Sequence, residues 1–275
     1  MFEHKIIPMD RWVSQFVGWV VDNYRDVFQS IKWPVEQILN GLDNGLNALH
    51  PVIIILVIGF LAYRYSGKTL TIFSVITMIL IGLMGLWEET LTTLAMVISA
   101  VLFCAIVGIP IGITAGRSDR FEMAIRPVLD AMQTTPSFVY LIPIVMLFSV
   151  GNVAGVLATI IFALPPIIRL TSLGLRQVHP ELVEAAQAFG ATNFQVLLRV
   201  QIPLAMNSIL AGLNQTIMLA LSMVVIAAMI GAGGLGAPVI LGLNTLDIGQ
   251  AVTGGLGIVL MAIVLDRITQ SMAKR

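Results

Sequence analysis

The chain has 275 residues, 57% of them hydrophobic and only 11% charged, with a mean hydropathy of +0.94 and zero formal net charge. A soluble domain of this length could not cover so much apolar side chain, and a neutral chain has no electrostatic basis for holding nucleic acid. Cys104 is the single cysteine, and His4, His50 and His179 are scattered with no H-E-x-x-H pattern, so neither a disulfide nor a metal site is expected. Residues 1–49 read as amphipathic helices. Trp12, Val13, Phe16, Val17, Val20, Val21, Tyr24, Val27, Phe28 and Ile31 recur at helical spacing, while Asp22, Arg25 and Asp26 interrupt the apolar run. Pro34 suits the start of a second helix with Val35, Ile38, Leu39 and Leu42 on its stripe. Trp12, Trp19 and Trp33 suit a membrane interface, as a scaffold or as a simple anchor. No cleavable signal peptide is expected, because these residues lack a basic start followed by an apolar core.

From residue 50 onward the chain reads as a polytopic, all-α transmembrane bundle. Seven spans are predicted near 51–64, 69–87, 90–116, 137–150, 153–174, 205–230 and 249–268. The first and fourth are short for a bilayer. Gly108, Gly112 and Gly116 lie four apart, a spacing that lets a neighbouring helix approach closely, within the subunit in preference to a dimer contact. Pro110, Pro143, Pro165 and Pro166 predict kinks, as moving walls or as static bends. Suppose the loop at 177–203 faces the cytoplasm. The inner loops then hold Arg64, Lys68, Arg117, Arg120, Arg126, Arg176, Arg199, Arg267, Lys274 and Arg275, and the outer ones Glu88, Glu89 and Asp247. That is the positive-inside bias, and it places the N-terminus outside, where Glu3, Asp10, Asp22, Asp26, Glu36 and Asp43 outweigh the bases.

The loop itself is a polar island rich in alanine. Glu184, Ala185, Ala186, Gly190, Val200, Ile202 and Pro203 fall at the spacing E-A-A-x3-G-x9-V-x-I-P. Gly190 is expected to end a short helix in a left-handed conformation, and Pro203 to start the next. This spacing resembles the EAA loop of ABC importer permeases, E-A-A-x3-G-x9-I-x-L-P, with Val200 for the isoleucine and Ile202 for the leucine. The run RPVLDAMQTTPSFVYLIP from Arg126 to Pro143 and the run GAGGLG at 231–236 are similar to segments of the permeases for glycine betaine, proline betaine and related osmolytes; the resemblance covers roughly residues 85–270. It implies the type I ABC importer permease fold, a homodimer in the cell membrane, separate ABC ATPase subunits that carry the ATP and Mg2+, and an extracytoplasmic solute-binding protein. It also implies that Glu184, Ala185, Ala186, Gly190 and Pro203 couple the ATPase to transport, with no catalytic residue on this chain.

Two motifs that look nucleotide-binding are rejected. The GAGGLG run follows a predicted span instead of a strand, so it reads as a flexible outer elbow or a gate contact. Gly67, Lys68 and Thr69 resemble the end of a phosphate loop, but the required earlier glycine falls at Ala62. The span 205–230 carries the most intramembrane polarity. Asn207, Asn214, Met218 and Ser222 share one face, which with Thr135 and Tyr140 is a candidate solute path; the alternative is interhelical hydrogen bonding that only holds the bundle together. The expected cargo is glycine betaine or a related osmolyte, with choline, carnitine or proline as alternatives. A rival reading is an ion-coupled secondary transporter working alone, which would favour internal repeats and ionisable midplane residues; neither is evident.

Overall fold

The computed structural model describes residues 8–273, and within them every regular element is helical. Glu3, His4, Lys274 and Arg275, used above, lie outside the described residues. The first helix, α1 (Met9–Ala48), runs unbroken through Pro34, so the expected restart there does not occur; its one departure from helical geometry is Tyr24, at φ −120° and ψ 15°. Burial of Val35 and Leu39 in the same core as Ala95, Ala154 and Phe148 holds the helix across the missing proline bond, because tertiary packing outweighs one lost donor. The first half of α1 is different: Trp12, Phe16 and Trp19 are exposed.

Helices α2 (Pro51–Ser66) and α3 (Lys68–Leu83) form a hairpin about Gly67, whose φ of 85° suits only glycine at low cost. The predicted span 69–87 therefore ends early. Residues 84–86 turn, and Trp87 begins α4 (Trp87–Arg117) with Glu88 and Glu89 in its first turn, where the helix dipole favours acids.

The core is built on α4, α7 (Asn152–Arg176) and α10 (Ile202–Ser222). Glycine sets their separation. Gly108 faces Ile167 and Leu164, Gly112 faces Thr171 and Ile168, and Gly116 faces Leu175 and Ser172. The rising numbers on both sides show that α4 and α7 run parallel, and that the predicted glycine stripe is a seam inside the subunit. On the other face of α7, Gly174 meets Ser208 and Ala205 while Gly212 meets Ile167, so α10 runs antiparallel.

Between α4 and α7 the chain forms α5 (Asp119–Thr134) and α6 (Ser137–Phe148), bent by 96° from each other. The predicted span 137–150 is thus only a 12-residue helix. After α7 come α8 (Pro180–Ala188), α9 (Asn193–Val196), a π turn over Leu197–Gln201, α10, α11 (Val224–Ala228), α12 (Gly236–Thr245) and α13 (Ile248–Ala273). Four stretches are long and apolar enough to cross a membrane: 87–117, 152–176, 193–228 and 248–272. Two more qualify as bent pairs, α1 with α2 and α5 with α6, and α3 is a shorter apolar helix. Each of the seven predicted spans overlaps one of these.

Candidate coupling knuckle and solute path

The Glu184 loop folds as a protruding knuckle because a proline opens its helix, a glycine reversal closes it, and no residue between them is buried. Pro180 sits at the first turn of α8, where its missing donor costs nothing. Gly190 adopts φ 84°. Its N–H donates to the Gln187 carbonyl at 2.8 Å, and Ala191 N–H donates to the Ala186 carbonyl at 3.0 Å, the paired bonds of a Schellman motif. The predicted left-handed helix end is therefore present.

Pro203 stands in the first turn of α10, as predicted, but the chain is already helical when it arrives there. The next helix begins at Asn193, capped by Thr192: Gln195 N–H donates to Thr192 Oγ1 at 3.3 Å, and Thr192 N–H donates to Gln195 Oε1 at 2.9 Å. Pro203 lies inside this helix. It cannot donate to Arg199, and the turn just ahead of it widens to π geometry, with Ile202 N–H bonded to the Leu197 carbonyl. Helix 193–228 is consequently one element.

Burial divides the knuckle cleanly. Val196 and Leu197 are buried and root it in the bundle. No residue of α8 is buried. Glu184 and Ala185 are exposed and Ala186 is half-buried. A cavity of about 450 Å³ opens between Ala186, Gly190, Gln195 and Arg199. Phe189, unremarked in the sequence, is 93% exposed at the tip, and Phe194 is 67% exposed beside it. The sequence signal was an aromatic directly before a helix-ending glycine; what it lacked was any statement of burial.

The five path candidates fall into two groups. Thr135 caps α5, donating its N–H to the Ala131 carbonyl at 3.0 Å. Its extended ψ is what a residue before proline adopts. Tyr140 on α6 packs against the α4–α7 core, and its hydroxyl is buried without a partner. Asn207 and Ser222 lie exposed on α10, and Ser222 Oγ donates back to the Met218 carbonyl at 3.0 Å. Asn214 is placed differently. Its Nδ2 donates to Asp266 Oδ1 of α13 at 3.0 Å, and Thr269 Oγ1 donates to Asn214 Oδ1. Gln270 Nε2 completes the cluster at 2.7 Å from Asp266 Oδ1. This geometry is the interhelical bonding weighed above as the alternative. Replacing Asn214 by leucine should lower stability by about 1 kcal/mol, because Asp266 loses a charged-group partner; thermal unfolding in detergent measures it, and an unshifted midpoint would show the bond to be idle.

Charges on α5 and α7 pair across the two helices. Arg169 lies within an apolar run but meets Asp130 of α5, and Arg176 meets Asp119 and Glu122. The GAGGLG run is tied down, not flexible. Gly231 and Gly234 have positive φ, Gly233 N–H donates to Asn152 Oδ1 at 2.7 Å, and Leu235 N–H donates to Thr93 Oγ1 at 2.8 Å.

Residues 108–275 match a family described as the binding-protein-dependent transport system inner membrane component. Over 273 residues the chain is 52% identical to the glycine betaine/proline betaine transport system permease protein ProW of Escherichia coli (strain K12), covering 99% of this chain and 77% of that protein. It is 44% identical over 266 residues to the glycine betaine transport system permease protein OpuAB of Bacillus subtilis (strain 168), covering 97% and 94%. Among solved structures, an inward-facing form of the MetNI methionine ABC transporter superposes with a TM-score of 0.60 at 20% identity, over 66% of this chain and 91% of that one. That likeness speaks to the fold.

Proposed function

The chain belongs to the binding-protein-dependent transport family of inner membrane components, and from that premise we propose that it is the permease of an ATP-driven importer for glycine betaine or a close zwitterionic relative. It is a multi-pass membrane protein. The observation that carries the cargo assignment is 52% identity, over almost the whole chain, to a permease named for glycine betaine and proline betaine.

In this reading two copies of the chain form the pathway, two ATPase subunits hold the ATP and Mg2+, and a solute-binding protein delivers cargo at the opposite face. The chain itself does no catalysis. The positive-inside bias supports a cytoplasmic knuckle and an outer N-terminus. Ala185 and Ala186 let the ATPase approach closely, Glu184 makes polar contacts at the rim, and Gly190 holds the turn. Phe189 joins them as an apolar knob, since an aromatic seated in a pocket dominates interface energy. Pro203 contributes by setting the wide turn through which the knuckle joins α10. Thr135, Tyr140, Asn207 and Ser222 remain the path candidates, while Asn214 acts by holding α10 to α13.

The test is ATP-dependent uptake of labelled osmolytes by the complex reconstituted with its ATPase and binding protein. ATP-dependent glycine betaine uptake is expected; uptake that persists without ATP on a sodium or proton gradient would overturn the reading. In the same assay Phe189→Ala should weaken ATPase association by about 2 kcal/mol, roughly thirtyfold, read by titrating ATPase subunits onto the permease. Unchanged association would remove Phe189 from the interface.

A further inference from the structure

Where α5 crosses the last turns of α7, five charged side chains and one orphaned hydroxyl surround a chamber of about 370 Å³. Arg169, Ser172 and Arg176 are spaced three and four apart, so they form one strip of hydrogen-bond donors along α7. Glu122, Arg126 and Asp130 are spaced four and four, so they form a facing strip on α5. Arg169 Nη2 meets Asp130 Oδ1 at 2.5 Å, Arg176 Nη2 meets Glu122 Oε2 at 3.1 Å, and Arg126 Nη2 meets Glu122 Oε1 at 3.0 Å. Asp119 and the Ala115 carbonyl hold Arg176 from behind at 2.6 and 2.8 Å. The floor is apolar, from Ile125, Leu129 and Ile168.

Ser172 makes this more than an ion-pair seam. It lines the chamber, it is 5% exposed, and its hydroxyl has no hydrogen-bond partner. A buried hydroxyl left unpaired is destabilising, and a ligand that bonds it removes the penalty. The charges select the ligand. A simple cation would meet three guanidinium groups, and a simple anion would meet two carboxylates. Arg169 with Asp130 and Arg176 with Glu122 already pair across the chamber, so a ligand that parts such a pair must itself bring one charge of each sign, and the apolar floor suits its methylene or methyl groups. Small-molecule sites run from about 300 to 1,000 Å³, so this chamber is at the small end of that range and has room for an amino acid or a betaine.

We propose that this chamber is a binding site for a small zwitterionic solute. The ligand carboxylate lies on the α7 strip, accepting from Ser172 Oγ and the flanking guanidinium groups, and its cationic end faces Glu122 and Asp130 of α5. Arg176 stands four residues before α8, so the site sits at the knuckle end of the bundle, and a bound solute ties α5 to α7 there. The site is inferred from its own charges and not from the cargo assignment. A complex that fails to transport glycine betaine but binds it here still supports the site.

The test uses the permease with its ATPase subunits in lipid nanodiscs, without binding protein, titrated with labelled glycine betaine. Saturable binding is expected that neither acetate nor tetramethylammonium displaces at about tenfold excess. Ser172→Ala should weaken binding by about tenfold and leave the thermal midpoint unchanged or raised, since it deletes an unpaired buried hydroxyl. Asp130→Asn should weaken binding with full retention of the acetate result. No saturable binding, equal affinity in Ser172→Ala, or displacement by acetate alone would overturn the proposal.

Discussion

Replacing Gly190 by proline is expected to abolish ATP-driven uptake, a loss of about a hundredfold, the scale attached to misplacing a working group by about 1 Å. Insertion into the membrane should be unaffected, since no residue of α8 is buried. Two features of Gly190 are lost together. Its φ of 84° is out of reach of a ring that locks φ near −65°, and its N–H, bonded to the Gln187 carbonyl at 2.8 Å, disappears. The neighbouring bond from Ala191 to Ala186 depends on the same reversal of the chain. Without it α8 leaves its angle to α9, and the knuckle no longer fits the ATPase surface proposed for it. ATP hydrolysis by the assembled complex should continue at a rate no longer tied to uptake. Gly190→Ala, which keeps the donor and pays only for the left-handed backbone, should be milder by comparison, at about 1 kcal/mol. The measurement is solute moved per ATP hydrolysed; if the proline variant transports at the wild-type rate, the knuckle is not the coupling part.

Replacing Gly112 by leucine should have the largest effect on the fold. A Cβ added there would lie 2.6 Å from Thr171 Cβ and 2.8 Å from the Ile168 carbonyl, and a backbone atom cannot swing aside. Thr171 and Ile168 are themselves buried, at 0% and 1% exposure, so α7 has no room to retreat. Overpacking at such a contact costs about 3 kcal/mol or more, and here it wedges apart the two helices on which the core is built. Gly41→Leu is the matched control, because nothing lies within 4 Å of an added Cβ at that position. Thermal unfolding and recovery of monodisperse protein in detergent separate the two. A Gly112→Leu variant as stable as the control would mean that the α4–α7 seam is looser than the structure has it.

The parts of this molecule that could be read from sequence are those written locally. The knuckle was legible because small and polar residues between two apolar runs announce a surface helix, and a glycine at its end announces the reversal. The stripe at Gly108, Gly112 and Gly116 was legible as a seam; that its partner is α7, whose facing residues Ile167, Thr171 and Leu175 come far later in the chain, was not. Pro203 gave only half the answer, because a proline in the first turn of α10 does not tell whether helix already precedes it. The Thr192–Gln195 capping box supplies the other half, starting the helical path at Asn193. Asn214 was read as facing a path, since helical spacing gives a face but not what stands opposite; Asp266 and Thr269 arrive from a helix fifty residues later. Arg169 was passed over because a lone charge in an apolar run has meaning only with its counter-charge, and Asp130 is on another helix. Phe189 marks the general limit: hydropathy says a phenylalanine should hide, and only the fold shows that it has nowhere to do so.

The stretch from Asn193 to Ala228 is one helix of 36 residues, about 54 Å long at 1.5 Å per residue. It starts at the capped turn of the knuckle and stops at the glycine elbow pinned by Asn152 and Thr93. Its helical path is irregular at the wide turn Leu197–Gln201 and at Met223 between α10 and α11, so in the transporter proposed above a stroke applied at Thr192 would pass to Gly231 along one axis with two turns able to give. The wide turn at Leu197–Gln201 is where such a rod has a spare residue to shuffle. On the proposed function, timing between the two ends of the bundle would then be carried along this single shaft.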